Sequence, residues 1–122
     1  MMAPMTHITL YGIPNCDTVK KARTWLTDHG ADYVFHDFKK QGVPQDLLPG
    51  WLAQVGHARL INRKGPTWRK LDPALQASVT DDASAGAVVS AHSSAIKRPL
   101  VVWADGTVTV GFDPDDFASR LA

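Results

Sequence analysis

Two alternating stretches and one helical stretch make up the first part of the chain. Residues 7–11 alternate apolar and polar side chains and are rich in β-branched and aromatic types, which predicts a strand. From residue 16 to 29 the apolar positions recur at helical spacing, and Gly30 suits the position just after a helix end. Residues 32–38 alternate again and predict a second strand. A helix of this length between two strands predicts a βαβ unit with parallel strands.

The next segment combines polar turns with an apolar helical pattern. Residues 39–42 form a polar run that predicts a turn. Pro44 suits the first turn of a helix that ends at Gly56. The residues predicted to form its apolar face are Leu47, Leu48, Trp51, Leu52 and Val55. We expect the pair Pro49-Gly50 to break or kink this helix, because proline has no backbone N–H to donate.

The segment from residue 57 to 93 has the least regular pattern. Residues 57–72 are basic and are predicted to be irregular, whereas short helices are predicted at 73–78 and 83–93. The residues expected to share the apolar face of the second of these helices are Ala83, Ala87, Val88 and Ala91.

The end of the chain predicts a hairpin followed by a helix. Residues 100–103 and 107–110 are strand-like, and Asp105-Gly106 between them is a strong hairpin signal, so these strands are antiparallel. Asp113-Pro114 is expected to begin a helix that runs through residue 121. The order β-α-β, helical insertion, β-β-α predicts an α/β protein with a mixed four-stranded sheet in the thioredoxin-like arrangement.

Length, charge and cysteine content narrow the class of protein. The 122 residues suit one domain, 1–122, in which we expect about residues 1–5 to be a flexible tail. A net charge of +1 argues against a partner that is a nucleic acid or a membrane. The start lacks the basic and apolar regions of a signal peptide, so we expect a cytoplasmic protein whose lone thiol stays reduced. One cysteine excludes an internal disulfide, and the five histidines lack metal-ligand spacing.

Cys16 is the residue whose setting points most clearly to chemistry. It lies where a loop becomes the first helix, and free backbone N–H groups at such a point favour a thiolate. Lys20 adds positive charge and Thr18 offers a hydroxyl, whereas the neighbouring Asp17 opposes a thiolate. The alternative interpretation is a buried structural thiol, the usual state of a single cysteine.

Arginines later in the chain are candidates for binding an anion. In a thioredoxin-like sheet the third strand enters beside the loop that follows the first strand, which would bring Arg98, followed by Pro99, to face Cys16. Arg63 and Arg69 are candidate clamps for a carboxylate or an oxyanion. For each arginine the alternative is a solvated surface position. Trp68, between the latter two, is better explained as a core residue.

Several sequence blocks together resemble one family. The segment Leu10-Tyr11-Gly12-Ile13-Pro14-Asn15-Cys16-Asp17-Thr18-Val19-Lys20-Lys21-Ala22 is similar to the opening of the ArsC/Spx family, in particular its YffB-type branch. Thr67-Trp68-Arg69-Lys70-Leu71, Ile96-Lys97-Arg98-Pro99 and Val110-Gly111-Phe112 resemble later blocks of that branch. The resemblance covers about residues 6–122 and implies a thioredoxin-like fold with a helical insertion.

The resemblance also implies an activity and a set of site residues. It implies a cytoplasmic thiol–disulfide reductase that draws electrons from glutathione as co-substrate. We expect a monomer that acts on a small-molecule or protein disulfide and holds no tightly bound cofactor or metal. Cys16 and Arg98 take the catalytic positions. The residues expected to bind substrate or glutathione are Asn15, Thr18, Lys20, Arg63, Arg69 and Pro99.

Two positions depart from the family pattern and leave other functions open. Arsenate reductases of the family carry a third arginine where this chain has Gly111, and Spx regulators carry a second redox cysteine where it has Val19. A regulator that binds RNA polymerase without redox turnover, and an arsenate reductase that relies on two arginines, are therefore alternatives to the glutathione-dependent reductase.

Overall fold

The computed structural model describes residues 7–121, and within them four strands form one mixed sheet. The strands are β1 (Ile8–Gly12), β2 (Tyr33–Asp37), β3 (Leu100–Val102) and β4 (Val108–Val110). Their order is β2-β1-β3-β4; β1 and β2 are parallel, and the other two pairs are antiparallel. The predicted mixed four-stranded sheet and its thioredoxin-like arrangement are confirmed. The flexible tail predicted at residues 1–5 lies outside the described residues.

The first helix packs its apolar face on the sheet. This helix, α1 (Asp17–Asp28), buries Val19, Ala22 and Leu26 completely. They join a core cluster with residues of β1 and β3. A Cβ atom at Gly12 would lie 2.7 Å from a Val19 methyl, so the end of β1 approaches α1 as closely as only glycine permits.

An aromatic group closes the same core at the end of the chain. The last helix, α8 (Pro114–Leu121), begins as predicted at the Asp113 cap, whose carboxylate accepts the Asp115 N–H at 3.0 Å. Phe117 of α8 is 1% exposed. Its ring lies edge-on to three other rings, those of Trp25, Trp103 and Phe112.

The chain divides into two compact units, which are described separately. Among the described residues, the first comprises 7–37 together with 98–121, and holds the sheet, α1 and α8. The second comprises the helical residues Phe38–Lys97. Its elements are α2 (Phe38–Gln41), α3 (Leu48–Val55), α4 (His57–Leu60), α5 (Pro66–Arg69), α6 (Pro73–Ala77), α7 (Asp82–Ala91) and a 3₁₀ turn at Ser93–Ala95.

The structure corrects the predicted start of the helix in the 44–56 segment. The helix α3 starts at Leu48 rather than at Pro44, and Pro49 lies in its first turn. In the first turn of a helix the backbone N–H groups have no acceptor within the helix, so the N–H that proline lacks costs no hydrogen bond. Pro49-Gly50 therefore neither breaks nor kinks α3. The predicted end is confirmed, since Gly56 caps the helix with φ 83°.

Three further predictions in this unit were wrong in detail. Residues 38–41 form the short helix α2 rather than a polar turn, and the segment predicted to be irregular contains α4 and α5. In α7 the buried residues are Ala85, Gly86, Val88 and Val89, whereas Ala83, Ala87 and Ala91 are exposed. Small residues of α7 occur on every side of the helix, so the periodicity of its sequence did not distinguish the face that packs. No helix within residues 7–121 is long and apolar enough to cross a membrane.

Candidate active site

Cys16 occupies the N-cap position of α1. Its backbone is extended (φ −103°, ψ 125°), and its carbonyl accepts the first helical hydrogen bond, from the Lys20 N–H at 2.9 Å. No side chain among residues 7–121 caps the helix here, so the first N–H groups of this 12-residue helix remain available to an anion. A thiolate on Cys16 would lie at the positive end of the helix dipole.

The thiol is neither buried nor free of the core. Cys16 is half-buried and packs against the core cluster that also contacts Phe112. The flanking candidates Asn15, Thr18 and Lys20 are all exposed. Cys16 is therefore not the buried structural thiol of the alternative interpretation.

The sheet brings the Arg98-Pro99 segment to the end of β1. Tyr11 of β1 pairs with Leu100 of β3, so Pro99 enters the sheet beside Gly12, where the chain leaves β1 toward Cys16. The Arg98-Pro99 peptide bond is cis, and Pro99 is buried. Arg98 is half-buried, and its guanidinium forms no ion pair or hydrogen bond with any residue in the described range 7–121. The strand register confirms the prediction that the Arg98-Pro99 segment lies beside the end of β1. That the Arg98 side chain faces Cys16 stays a prediction.

Gly111 adjoins the same segment. Its N–H donates to the Pro99 carbonyl at 2.9 Å, and its φ of 86° lies in the left-handed region. Glycine adopts this conformation without the steric cost that a Cβ atom brings. A third arginine at this position would therefore strain the backbone.

Arg63 and Arg69 belong to the helical unit. The Arg63 guanidinium lies 5.1 Å from the centre of the Trp68 ring, and Trp68 is buried, as predicted for a core residue. Arg69 is exposed at the end of α5. Neither arginine forms an ion pair within the part of the chain that the structure describes. The structure thus groups Asn15, Cys16, Thr18, Lys20, Arg98 and Pro99 in the first unit, and the roles of Arg63 and Arg69 stay predictions.

Comparison with known proteins identifies the family. The ArsC family model matches residues 11–119. The chain belongs to the ArsC family. Among its ArsC-family relatives of known structure, a YffB protein is 46% identical with a TM-score of 0.87, covering 94% of this chain and 99% of that one.

Two curated relatives cover nearly the same part of this ArsC-family chain. An uncharacterized protein of Haemophilus influenzae is 37% identical over 115 residues, 94% of this chain and 99% of its own. The global transcriptional regulator Spx of Streptococcus pyogenes is 25% identical over 118 residues, 94% of this chain and 85% of its own. These matches confirm the resemblance inferred from the sequence blocks.

Residue 19 of this ArsC-family chain, where the resemblance to Spx regulators led us to look for a second redox cysteine, is a core residue. Val19 is 0% exposed and packs in the cluster beneath α1. Cys16 therefore has no partner thiol in the chain, and any disulfide it forms must be with another molecule.

Sequence reasoning missed Phe112 as a residue of this neighbourhood. Phe112 follows Gly111 at the end of β4 and packs against the same cluster as Cys16. Its aromatic ring directly after a strand and a glycine was the only local signal. Its proximity to the first helix depends on pairing between distant strands.

Proposed function

We propose that this protein is a glutathione-dependent thiol–disulfide reductase in which Cys16 is the nucleophile. The observation that carries the proposal is the position of Cys16, half-exposed at the uncapped start of α1. A helix N-terminus favours the thiolate, which is the form that attacks disulfides. Membership of the ArsC family and the Arg98-Pro99 segment at the end of β1 support it.

The proposed cycle has two exchange steps. The Cys16 thiolate attacks the glutathione sulfur of a mixed disulfide, a new S–S bond forms, and the original S–S bond breaks. The substrate half of the mixed disulfide leaves as a thiolate and takes a proton from water. A second glutathione thiolate then attacks the Cys16 mixed disulfide, which releases oxidised glutathione and regenerates the Cys16 thiolate. The substrate gains two electrons, and two glutathione molecules end as one disulfide.

Arg98 has an electrostatic role in this proposal. Its guanidinium, which has no ion-pair or hydrogen-bond partner within residues 7–121, would hold a substrate carboxylate through paired hydrogen bonds and stabilise negative charge near the reacting sulfurs. Asn15, Thr18 and Lys20 would line the exposed side of the same neighbourhood. Because the chain supplies no resolving thiol, an external pool of reduced glutathione is required, which places the reaction in the cytoplasm.

A coupled assay tests the proposal. The mixed disulfide of glutathione and 2-mercaptoethanol is supplied with glutathione, glutathione reductase and NADPH, and NADPH oxidation is followed. We expect turnover in the parent protein and none in Cys16→Ser, because serine cannot form the covalent intermediate. Arg98→Ala should lower kcat/KM by about tenfold to a hundredfold, the loss of a charge-assisted hydrogen bond. Arg98→Lys should restore part of it, and Lys97→Ala, an exposed neighbour, is the matched control.

The second candidate function is a regulator that acts without turnover. The 25% identical relative named as a global transcriptional regulator favours it. It predicts no NADPH oxidation with any disulfide, together with retention of RNA polymerase in a pull-down that Cys16→Ser leaves unchanged. Parent and Cys16→Ser proteins that are equally inactive would therefore overturn the reductase proposal.

A further inference from the structure

A groove runs along the exposed side of α1 from the turn that follows Cys16. It has a volume of about 410 Å³, within the range of small-ligand sites. Lys20, Lys21, Trp25 and Asp28 of α1 form one wall, and Phe112 with Pro114 forms the other. All of these residues belong to the first unit.

The two walls of this α1 groove are supported by the core. The Trp25 and Phe112 rings both lie edge-on to the buried Phe117, with ring centres 5.6 Å and 4.9 Å away. On its other side Trp25 stacks on His29 at 3.7 Å. The aromatic surface is therefore preformed, and an apolar side chain could enter it without rearranging the walls.

Charge is distributed unevenly along the α1 groove. Lys20 and Lys21 lie at the end nearer Cys16, and Asp28 lies two turns further on. Within residues 7–121 none of these three side chains forms an ion pair. The end near the thiol therefore suits a carboxylate, and the middle suits an apolar group.

The length and chemistry of the α1 groove together indicate its occupant. The eight helical rises from Lys20 to Asp28 add up to roughly 12 Å, the length of three to four residues of extended chain. Glutathione has carboxylates but no apolar side chain to cover Trp25 and Phe112. A polypeptide segment with an acidic residue beside its cysteine and an apolar residue beyond matches both features.

We infer that the α1 groove binds the polypeptide half of a protein–glutathione mixed disulfide, and that it selects cysteines flanked by acidic and then aromatic residues. This inference rests on the proposed function, in which the polypeptide cysteine leaves as the thiolate. It assigns Lys21, Trp25 and Phe112 to substrate specificity, and it makes S-glutathionylated proteins the substrate class.

Peptide substrates test the inference against a substrate too small to use the groove. The peptide Phe-Asp-Cys-Asp-Phe, glutathionylated on its cysteine, is symmetric, so the direction of binding does not matter. Replacing both Phe by Ser should lower kcat/KM about tenfold through lost apolar contact. Replacing both Asp by Lys should lower it about threefold at low salt, because the contact is exposed. The 2-mercaptoethanol mixed disulfide supplies the reference rate.

Protein variants test the same groove from the other side. Thr24 of α1 also lines the groove. Thr24→Trp places a large side chain there and should lower kcat/KM for the Phe-Asp peptide about tenfold, while the rate with the small disulfide stays unchanged. Thr27→Trp is the matched control, since Thr27 is exposed on α1 outside the groove. Lys21→Glu should reverse the preference between the Asp and Lys peptides, and Lys40→Glu should not. Equal rates for all peptides in an active enzyme would overturn the inference and leave the proposed function intact.

A binding measurement separates the inference from the reaction. The peptide Phe-Asp-Ala-Asp-Phe, which cannot react, is titrated into the parent protein and Thr24→Trp, and the Trp25 indole N–H is followed by NMR. We expect a saturable shift in the parent protein alone. No shift in the parent would overturn the groove even if the small disulfide turns over. A shift without any turnover would support the groove and overturn the reductase.

Discussion

Phe117 is the residue on which the first unit's aromatic core and the α1 groove both depend. Its ring is 1% exposed, and its centre lies 4.8 Å from that of Trp103 and 4.9 Å from that of Phe112. Removing a fully buried phenylalanine costs about 3–5 kcal/mol, because apolar burial is lost and a cavity remains. Since the free energy of unfolding of a small domain is about 5–15 kcal/mol, Phe117→Ala should remove a large share of it.

Phe117→Leu separates ring contacts from burial. Leucine keeps most of the volume but loses the edge-on contacts, each worth about 0.5–1.5 kcal/mol. Because neighbouring contacts are not additive, we expect a loss of about 1–2 kcal/mol in the free energy of unfolding. The variant should stay folded while the walls of the groove loosen.

Urea denaturation followed by circular dichroism measures both losses. An unchanged m-value would show that the variants unfold from a native state of the same compactness. Leu121→Ala, on the same helix and 37% exposed, is the control and should change stability by less than about 1 kcal/mol. A loss below about 1.5 kcal/mol for Phe117→Ala would refute the assigned role of Phe117 in the core.

Three further predictions concern the thiol, the turn after β4 and a helix cap. In the folded protein at pH 7 Cys16 should be alkylated by iodoacetamide, because the residue is only half-buried at the start of α1. A thiol that mass spectrometry finds unmodified until the chain is unfolded would contradict its accessibility. Gly111→Arg should lower the free energy of unfolding by about 1–2 kcal/mol at its φ of 86°, as should Gly111→Ala, without raising arsenate turnover. The Ser84 N–H donates to the Asp81 carboxylate at 2.9 Å and holds the pKa of Asp81 below its ordinary value. The ionised Asp81 carboxylate therefore makes its full contribution to the free energy of unfolding above about pH 4, and this contribution is lost as the pH falls through the lowered pKa. Urea titrations of the parent protein and Asp81→Asn should differ by a constant amount at pH 5–7 and converge below pH 4; a difference that does not change with pH would contradict this.

Local signals predicted three features of the first unit. The end of α1 near Gly30, the hairpin at Asp105-Gly106 and the cap at Asp113 each depend on residues within about four positions of one another. Steric freedom of glycine and hydrogen bonds from carboxylates act at that range, so a short window of sequence contains the whole cause.

Predictions of buried faces failed where burial depends on residues that are distant in the sequence. Leu47 and Leu48 both fit an apolar helical face, yet Leu47 is 43% exposed and Leu48 is buried. Gly86 of α7 packs closely against α3, since a Cβ atom at Gly86 would lie only 3.4 Å from the Leu52 side chain. The neighbouring helix α3 therefore decides which face of α7 is buried. The pattern of α7 alone could not choose between its small residues.

The sequence by itself determined the identity and order of the strands, the single thiol at the start of a helix, and the lack of a second cysteine for it. Only the tertiary structure decided that β3 pairs with β1, so that Arg98-Pro99 enters the sheet where the chain leaves toward Cys16. It also brought Trp25 and Phe112 against the same buried ring, that of Phe117. Strand pairing and ring packing join residues far apart in the chain, and their free energy comes from burying surfaces that no local stretch contains.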